Sequence, residues 1–280
     1  MENNPLEKYN IRPIKHLGQN FLIDESVLEK IISAAEISEN DVILEIGPGL
    51  GILTFALAKK AKEVIAVEKD KKLAEILNQE LRIKNIKNVE VIDGDALKIF
   101  NFKIPSPWLV RLGRKIQNYK LVANIPYYLT SPLIRKFLEV ENKPELMILM
   151  LQKEVGQRIC AKPGDMSILS IMVQFYAIPE IIDYVSKKAF YPEPKVDSAI
   201  VKITPKIIPE IDTEKFFALV KSGFSAKRKF LLNNLKKKFN VRGSMFEDVF
   251  STLKIDAKSR AEKLSIENWL KLYEALKNIL

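Results

Sequence analysis

The residues that follow the apolar stretch 121–123 could bind and orient a planar substrate. They read Asn124-Ile125-Pro126-Tyr127, which sets an amide, a rigid proline and an aromatic ring side by side. An amide oxygen and free carbonyls accept hydrogen bonds from an amino group, and the ring can stack on a flat heterocycle. The same residues could instead form only a proline turn after a strand. This motif alone therefore leaves both interpretations open.

A glycine-rich turn farther upstream indicates a nucleotide-type site. Residues 42–46 are apolar apart from one acid, and Gly47, Gly49 and Gly51 follow before a helical pattern begins. Glycine lets the backbone approach a ligand that a side chain would exclude. A strand, a glycine turn and a helix together open a nucleotide-binding βαβ unit.

Acidic residues end the next two predicted strands. Glu68 follows the apolar run 64–67 and lies 21 residues after Gly47, the offset at which a ribose-binding carboxylate belongs. Asp95 follows the run 89–93, where it could accept a hydrogen bond from an adenine amine or simply cap the next helix. Because parallel strands end at one edge of a sheet, we expect a nucleoside-type site there.

The elements that must carry these residues alternate between strand and helix up to residue 204. Apolar runs predict the strands, and helical repeats of apolar residues predict the helices between them. This alternation is typical of an α/β domain with a mainly parallel sheet. Beyond Pro205 and Pro209 the pattern is only helical. We therefore predict an α/β domain at 1–204 and a small all-helical domain at 205–280.

The N-terminal segment contains polar residues whose role the sequence leaves open. Asp24 is placed to cap a helix that begins just after it. The amides of Gln19 and Asn20 precede this helix, where they could bind a ligand or help to cap it. The start of the chain lacks a signal or transit pattern, and the longest apolar run is too short to cross a bilayer. We expect a cytoplasmic protein without a membrane partner.

The counts of cysteine and histidine argue against several classes of site. The single cysteine, Cys160, excludes an internal disulfide and a cysteine-rich zinc site. The single histidine, His16, argues against a multi-histidine metal centre. We therefore expect no metal ion to be bound.

The charge balance indicates an anionic partner. The 280 residues carry a formal net charge of +10, which favours binding to nucleic acid. A run of cations without an intervening acid occupies residues 227–242, in the second helical stretch of the tail. Such a run is often only a solvated face, but beside an active-site domain it favours phosphate contacts. The predicted RNA-binding residues are Lys227, Arg228, Lys229, Lys236, Lys237, Lys238 and Arg242.

Taken in order, the motifs resemble the rRNA adenine dimethyltransferases along nearly the whole chain. The glycine motif alone is shared by many methyltransferases, whereas NIPYYLTSP together with FYPEPKVDSAIV is specific to this family. The matching motifs are LGQNFLID at 17–24, ILEIGPGLG at 43–51, VIAVEKD at 64–70, GDAL at 94–97, NIPYYLTSP at 124–132, MLQKEV at 150–155 and FYPEPKVDSAIV at 190–201.

The resemblance implies an S-adenosylmethionine-dependent enzyme. It would dimethylate the exocyclic amines of two adjacent adenosines near the 3′ end of small-subunit rRNA, within an assembling ribosomal subunit. It also implies a Rossmann-like class I methyltransferase fold, with a seven-stranded, mostly parallel sheet containing one antiparallel strand. We expect the protein to be a monomer.

The resemblance also assigns residues to roles. Glu68 would bind the ribose hydroxyls, Asp95 the cofactor adenine, and Asn124 the reaction centre. The implied cofactor-binding residues are Gln19, Asn20, Leu22, Gly47, Gly49, Gly51, Glu68, Asp95, Ala96 and Asn124. The implied catalytic residues are Asn124, Pro126, Tyr127 and Phe190.

Two stretches depart from the family's pattern, and other functions stay open. Residues 165–169 carry no cation where the family often has a basic segment, and the stretch 101–118 is longer than usual. The alternatives are a large-subunit rRNA adenine methyltransferase that confers antibiotic resistance and a related mitochondrial transcription factor acting as a binding protein. A nicotinamide dehydrogenase on the same βαβ unit is disfavoured by the NIPY motif and the basic tail.

Overall fold

The computed structural model of the protein describes most of the chain. Tyr127, Arg242, His16 and all but the last residue of the 101–118 stretch lie outside the described residues. The sequence predictions made for them are therefore not compared with the structure. The described residues are 6, 9, 11–14, 18–99, 118–126, 129–239 and 243–279.

A seven-stranded sheet confirms the predicted α/β class. The strands are β2 (Val42–Ile46), β3 (Glu63–Glu68), β4 (Val89–Asp93), β5 (Tyr119–Asn124), β6 (Leu146–Gln152), β7 (Ala177–Val185) and β9 (Ser198–Pro205). Their order in the sheet is β4-β3-β2-β5-β6-β9-β7, with the four pairings from β4 to β6 parallel and the β6–β9 pairing antiparallel. The strand order reverses between β2 and β5, as expected for a crevice at the carboxyl ends of the strands.

A second, two-stranded sheet joins distant parts of the chain. Strand β1 (Phe21–Leu22) pairs antiparallel with β8 (Phe190–Tyr191). The sequence analysis predicted an extended loop for 190–194, and the structure shows that its first two residues pair as a strand. Their partner strand is distant in sequence, so no local pattern could have revealed this pairing.

Helices connect and cover the strands, and several begin at the caps that the sequence contains. The carboxylate of Asp24 accepts from the N–H of Ser26, and that of Asp70 accepts from Lys72 and Leu73. The helices are α1 (Glu25–Ala34), α2 (Ile52–Ala58), α3 (Lys71–Ile83), α4 (Ala96–Ile99), α5 (Thr130–Glu139), α6 (Lys153–Ile159), α7 (Ile168–Tyr176), α8 (Thr213–Gly223), α9 (Leu231–Lys238), α10 (Gly243–Thr252) and α11 (Ile266–Leu276). In the described part of the chain, no helix combines the length and apolar character needed to span a bilayer.

The central strands are buried on both faces, as their sequences predict. Leu44, Val64, Leu121 and Ile148 are almost completely inaccessible to solvent. Parallel strands covered on both faces require continuous apolar runs instead of alternating ones. This explains why the runs were recognisable and why the polar residues at their ends are unusual.

The chain forms two compact units. One contains Met1–Gly156 and Pro179–Pro205, and the other contains Gln157–Ile178 and Lys206–Leu280. The sequence analysis placed residues 157–178 in the first domain, whereas here they cluster with the second unit. The physical reason is aromatic packing within that unit, where Phe175 stacks on Phe216 with ring centroids 4.9 Å apart. A division at residue 204 into independently folding domains stays a prediction.

The packing around Gly223 predicts a sharp loss of stability on adding one methyl group. A Cβ there would lie 2.4 Å from Trp269 Cη2 and 2.6 Å from Leu231 Cδ1. Overpacking costs about 1–3 kcal/mol, which outweighs the gain of at most about 1 kcal/mol from helix propensity. Gly223→Ala should therefore lower the denaturant midpoint measured by circular dichroism. Ser225→Ala, at an exposed position two residues on, should leave it within error, and equal midpoints for both variants would contradict the packing argument.

Candidate active site

A cavity of about 860 Å³ opens at the carboxyl ends of the central strands. Among the described residues, all those that line it belong to the first compact unit. Glu68, Asp95 and Asn124, which end or follow β3, β4 and β5, all contribute to its wall. The predicted crevice is therefore present, and the carboxylates and the amide open onto one space instead of separate surfaces.

Nearly all the predicted cofactor-binding and catalytic residues line this cavity. Gly51 is the exception among the described ones, because a Cβ at this position would lie 2.4 Å from Leu77 Cδ1, against helix α3. Its φ of +87° also favours glycine. The predicted residues in the wall are Gln19, Asn20, Leu22, Gly47, Gly49, Glu68, Asp95, Ala96, Asn124, Pro126 and Phe190.

The glycine turn brings its backbone close to the end of β5. Gly47 and Gly49 have φ of +70° and +58°, in the left-handed region that other residues rarely adopt. The N–H of Gly47 donates to Val67 O at 2.9 Å, which ties the turn to β3. A Cβ on Gly47 would lie 3.8 Å from both Asn124 O and Pro126 Cδ. The turn and the Asn124 motif are therefore neighbours across the reversal of strand order.

The Glu68 side chain is buried and bridges two backbone segments. It is only 6% exposed, and its oxygens accept from the N–H of Gly49 at 3.0 Å and of Asp70 at 2.9 Å. Burial raises the pKa of Glu68, although these two hydrogen bonds oppose the shift. Each carboxylate oxygen can accept a further hydrogen bond, so the residue can still bind hydroxyl groups from the cavity.

Glu45 is a second acid in the cavity wall, and the sequence analysis assigned it no role. It is 1% exposed, and burial, together with the charge of Glu68, raises its pKa to about 8. Among the described residues, no group hydrogen-bonds to its Oε2 atom. The available signal was an acid inside an otherwise apolar strand just before a glycine turn. A buried carboxyl oxygen without a partner indicates a functional site.

Asp95 caps the helix that follows it, which is one of the two roles that its position allowed, and it also lines the cavity. One oxygen accepts from the N–H of Leu97 at 3.0 Å in the first turn of α4, and the other lies 3.0 Å from Lys69 Nζ. Burial acts against ionisation, but these two bonds hold the pKa of Asp95 below its usual value. Each oxygen can accept a further hydrogen bond, so a ligand amine can bind Asp95 alongside Leu97 or Lys69.

Asn124 lies at the end of β5 with its amide half-buried. Its Nδ2 donates to the carbonyl of Asn20 at 3.5 Å, which directs the amide group across the cavity. The N–H of Ile125 donates to Met150 O at 3.0 Å, and the N–H of Leu129 donates to Pro126 O at 2.9 Å. These bonds fix the backbone on both sides of Pro126, so the amide oxygen of Asn124 can act as a positioned acceptor.

The N-terminal amides hold the segment that precedes β1. Gln19 accepts from the N–H of Ile14 at 2.7 Å and donates to Asp70 at 2.8 Å. Asn20 donates to Gly18 O at 3.1 Å. Helix α1 is capped by Asp24 alone among these residues. The capping alternative for the two amides is therefore wrong, and both line the cavity instead.

The predicted RNA-binding residues belong to the second unit. Lys227, Arg228 and Lys229 are exposed in the turn before α9, not within a helix as predicted. Lys236 is half-buried, and its Nζ lies 2.6 Å from Glu247 Oε1, so part of its charge is neutralised. Lys237 and Lys238 are exposed at the end of α9.

Comparisons with known proteins agree along the whole chain. The sequence profile of the ribosomal RNA adenine dimethylase family matches residues 12–278. A protein from Dehalococcoides mccartyi named ribosomal RNA small subunit methyltransferase A is 43% identical over 270 residues, covering 95% of this chain and 89% of that protein. Both matches extend through the two compact units.

Solved structures show the same fold. The crystal structure of a dimethyladenosine transferase from Plasmodium falciparum matches with a TM-score of 0.75 and 30% identity, covering 92% of this chain and 98% of the other. The crystal structure of the 23S rRNA methyltransferase ErmE matches with a TM-score of 0.74 and 26% identity, covering 92% and 100%.

The raised pKa of Glu45 predicts how stability depends on pH. The folded protein keeps this proton up to about pH 8, whereas the unfolded chain releases it near 4.5. Stability should therefore fall as pH rises from 4.5 to 8, by up to about 5 kcal/mol at about 1.4 kcal/mol per pKa unit. Glu45→Gln should remove the Glu45 contribution to this fall in chemical denaturation series and leave that of Glu68, whereas Glu75→Gln, at an exposed position, should leave the whole fall unchanged. Parallel pH profiles for the wild type and Glu45→Gln would contradict the assignment.

Proposed function

This chain belongs to the ribosomal RNA adenine dimethylase family, and from that membership we propose its substrate, cofactor and site residues. It transfers methyl groups from S-adenosylmethionine to the exocyclic amines of two adjacent adenosines near the 3′ end of small-subunit rRNA. The observation that carries this proposal is that Glu68, Asp95 and Asn124 line one cavity. The name of its relative from Dehalococcoides mccartyi supports the small subunit over the large one as the substrate.

The cavity residues fit the proposed cofactor, which supplies a methyl group activated by a positively charged sulfur. Glu68 offers carboxylate oxygens to ribose hydroxyls, and Asp95 offers one to an adenine amine. Glu45 adds a buried carboxyl whose Oε2 has no partner among the described residues, and an ammonium group would satisfy it. The positive φ angles of Gly47 and Gly49 keep side chains out of the turn that the ligand approaches.

The proposed role of Asn124 is to orient the acceptor amine. The lone pair of an adenine amine is delocalised into the ring, so the amine is a poor nucleophile until it is positioned. The Asn124 amide oxygen can accept one amine hydrogen, because its Nδ2 already donates to Asn20 O. Holding two reactants in line contributes on the order of 7–11 kcal/mol to lowering a barrier. Pro126 keeps the backbone after Asn124 in a fixed direction.

Other parts of the proposal concern partners. The exposed cations Lys227, Arg228, Lys229, Lys237 and Lys238 are proposed to contact rRNA phosphates in an assembling small subunit. The protein would act as a monomer, and the cytoplasmic location follows from that substrate. Tyr127, proposed to stack on the displaced adenine, lies outside the described residues, and Phe190 is proposed to contact the other face of the base.

Removing the Asn124 amide should separate catalysis from cofactor binding. Asn124→Ala should lower methyl transfer to unmethylated small subunits by at least about 100-fold, the lower range for removing one positioned polar group. The affinity for S-adenosylmethionine in calorimetry should stay within a few-fold. Asn78→Ala, at an exposed position on α3, should have normal activity. Near-normal turnover by Asn124→Ala would refute the proposed role, and mapping the product identifies the modified base.

The exposed cations should contribute to the salt dependence of RNA binding. Replacing Lys227, Arg228 and Lys229 by alanine should reduce the slope of log affinity against log salt by about 2–3, since each phosphate contact contributes about 0.7–0.9. Methyl transfer at saturating RNA should change little. The control replaces Lys59, Lys60 and Lys62 by alanine. These exposed cations lie in the segment between α2 and β3, at the amino end of β3, whereas the cavity lies at the carboxyl ends of the strands. If both triple variants keep the wild-type slope, the turn before α9 is only a solvated surface.

A further inference from the structure

Two neighbouring aromatic residues of β8 differ sharply in their environment. Phe190 is 4% exposed and packs in the core with Leu22, whereas Tyr191 is 46% exposed. Both contribute to the wall of the cavity. Because successive side chains of a strand point to opposite faces, the two rings cannot cover the same ligand face. The Tyr191 ring therefore borders the cavity where it meets solvent.

The backbone at Tyr191 is fixed by pairing with β1. Tyr191 pairs with Phe21, Phe190 pairs with Leu22, and the N–H of Ile23 donates to Ala189 O at 2.9 Å. Since Leu22 and Phe190 are both buried, this small sheet is anchored in the core. The backbone that carries the exposed ring is thus held in place before any ligand binds. A pre-positioned aromatic ring loses little conformational entropy when a flat group stacks on it.

Several cations lie within four residues of Tyr191 in the sequence. Lys187 Nζ lies 2.7 Å from Glu193 Oε1, so these two charges offset each other. Lys188 and Lys195 are exposed on either side of Tyr191 in the sequence. An exposed aromatic ring with nearby cations is the combination that proteins use to bind single-stranded nucleic acid, since bases stack and phosphates are attracted. In the proposed reaction, the ligand that carries both flat bases and anionic phosphates is the RNA substrate.

We propose that Tyr191 stacks on the nucleotide next to the adenosine that occupies the cavity. This inference rests on the proposed function and deepens it. When two adjacent adenosines are substrates, Tyr191 would stack on the neighbour on one side of the bound nucleotide in each round, and in one of the two rounds this neighbour is the other adenosine. The residue is a positioning residue for the RNA and does not contact the transferred methyl group.

The test compares three variants on unmethylated small subunits. Tyr191→Ala should raise KM for the RNA substrate by about 5- to 150-fold, the range that loss of one base–aromatic stack produces. Its kcat and its affinity for S-adenosylmethionine in calorimetry should stay within about two-fold of the parent. Tyr191→Phe should restore KM, because the ring is retained. Tyr184→Ala is the matched control, since Tyr184 is 47% exposed on β7 and lies outside the cavity wall.

A second readout reports stacking directly. A short RNA with 2-aminopurine next to the target adenosine should be quenched on binding to the parent and to Tyr191→Phe, but not to Tyr191→Ala. Thermal melting of each variant shows whether it is folded. An unchanged KM in Tyr191→Ala overturns the inference, as does a KM for Tyr191→Phe as high as that of Tyr191→Ala. A selective loss of cofactor affinity would also overturn it.

The two proposals can fail separately. If the parent methylates small subunits while Tyr191→Ala has the same KM, only the stacking role is wrong. If the parent methylates a different RNA, the proposed substrate is wrong, and the same KM comparison on that RNA decides the role of Tyr191. If the parent transfers methyl groups to no RNA, both proposals are wrong.

Discussion

The buried carboxylate of Glu68 is the contact on which the geometry of the cavity depends. It accepts from the backbone of the glycine turn at Gly49 and from the start of α3 at Asp70. These bonds tie the carboxyl end of β3 to the segment that follows β2. Because β2 also pairs with β5, the same contact sets the distance between the glycine turn and Asn124. A glutamine here would lack one acceptor oxygen.

The cavity wall contains two buried carboxyl groups, Glu45 and Glu68, whose ionised forms are disfavoured in the folded protein. Burial raises the pKa of each. Ionising both groups in one wall would be unfavourable in the free protein. A positively charged ligand would relieve this cost, so the proposed sulfonium cofactor agrees with the electrostatics as well as with the shape. Asp95 differs, since Lys69 partly compensates its charge.

The wall opposite the glycine turn is built from segments that are distant in the chain. The β1–β8 pairing brings Asn20 and Phe21 next to Phe190 and Tyr191. The ring of Phe21 lies so close to Gly49 that a Cβ there would be 3.2 Å away. The same small sheet therefore closes the cavity beside the glycine turn, where the proposed cofactor would bind, and presents an aromatic ring at its rim. One element thus serves both substrates of the proposed reaction.

The α/β class, the central strands and the polar residues that end or follow β3, β4 and β5 in the cavity wall could be predicted from the sequence alone. Long apolar runs and the polar residues that end them are local signals, and parallel topology brings strand ends together. Tertiary structure alone decided the β1–β8 pairing, the clustering of α7 with the second unit, and the environment of Glu45 and Tyr191. These depend on contacts between distant residues, because exposure and the pKa of a buried group are properties of the assembled fold and not of a local pattern.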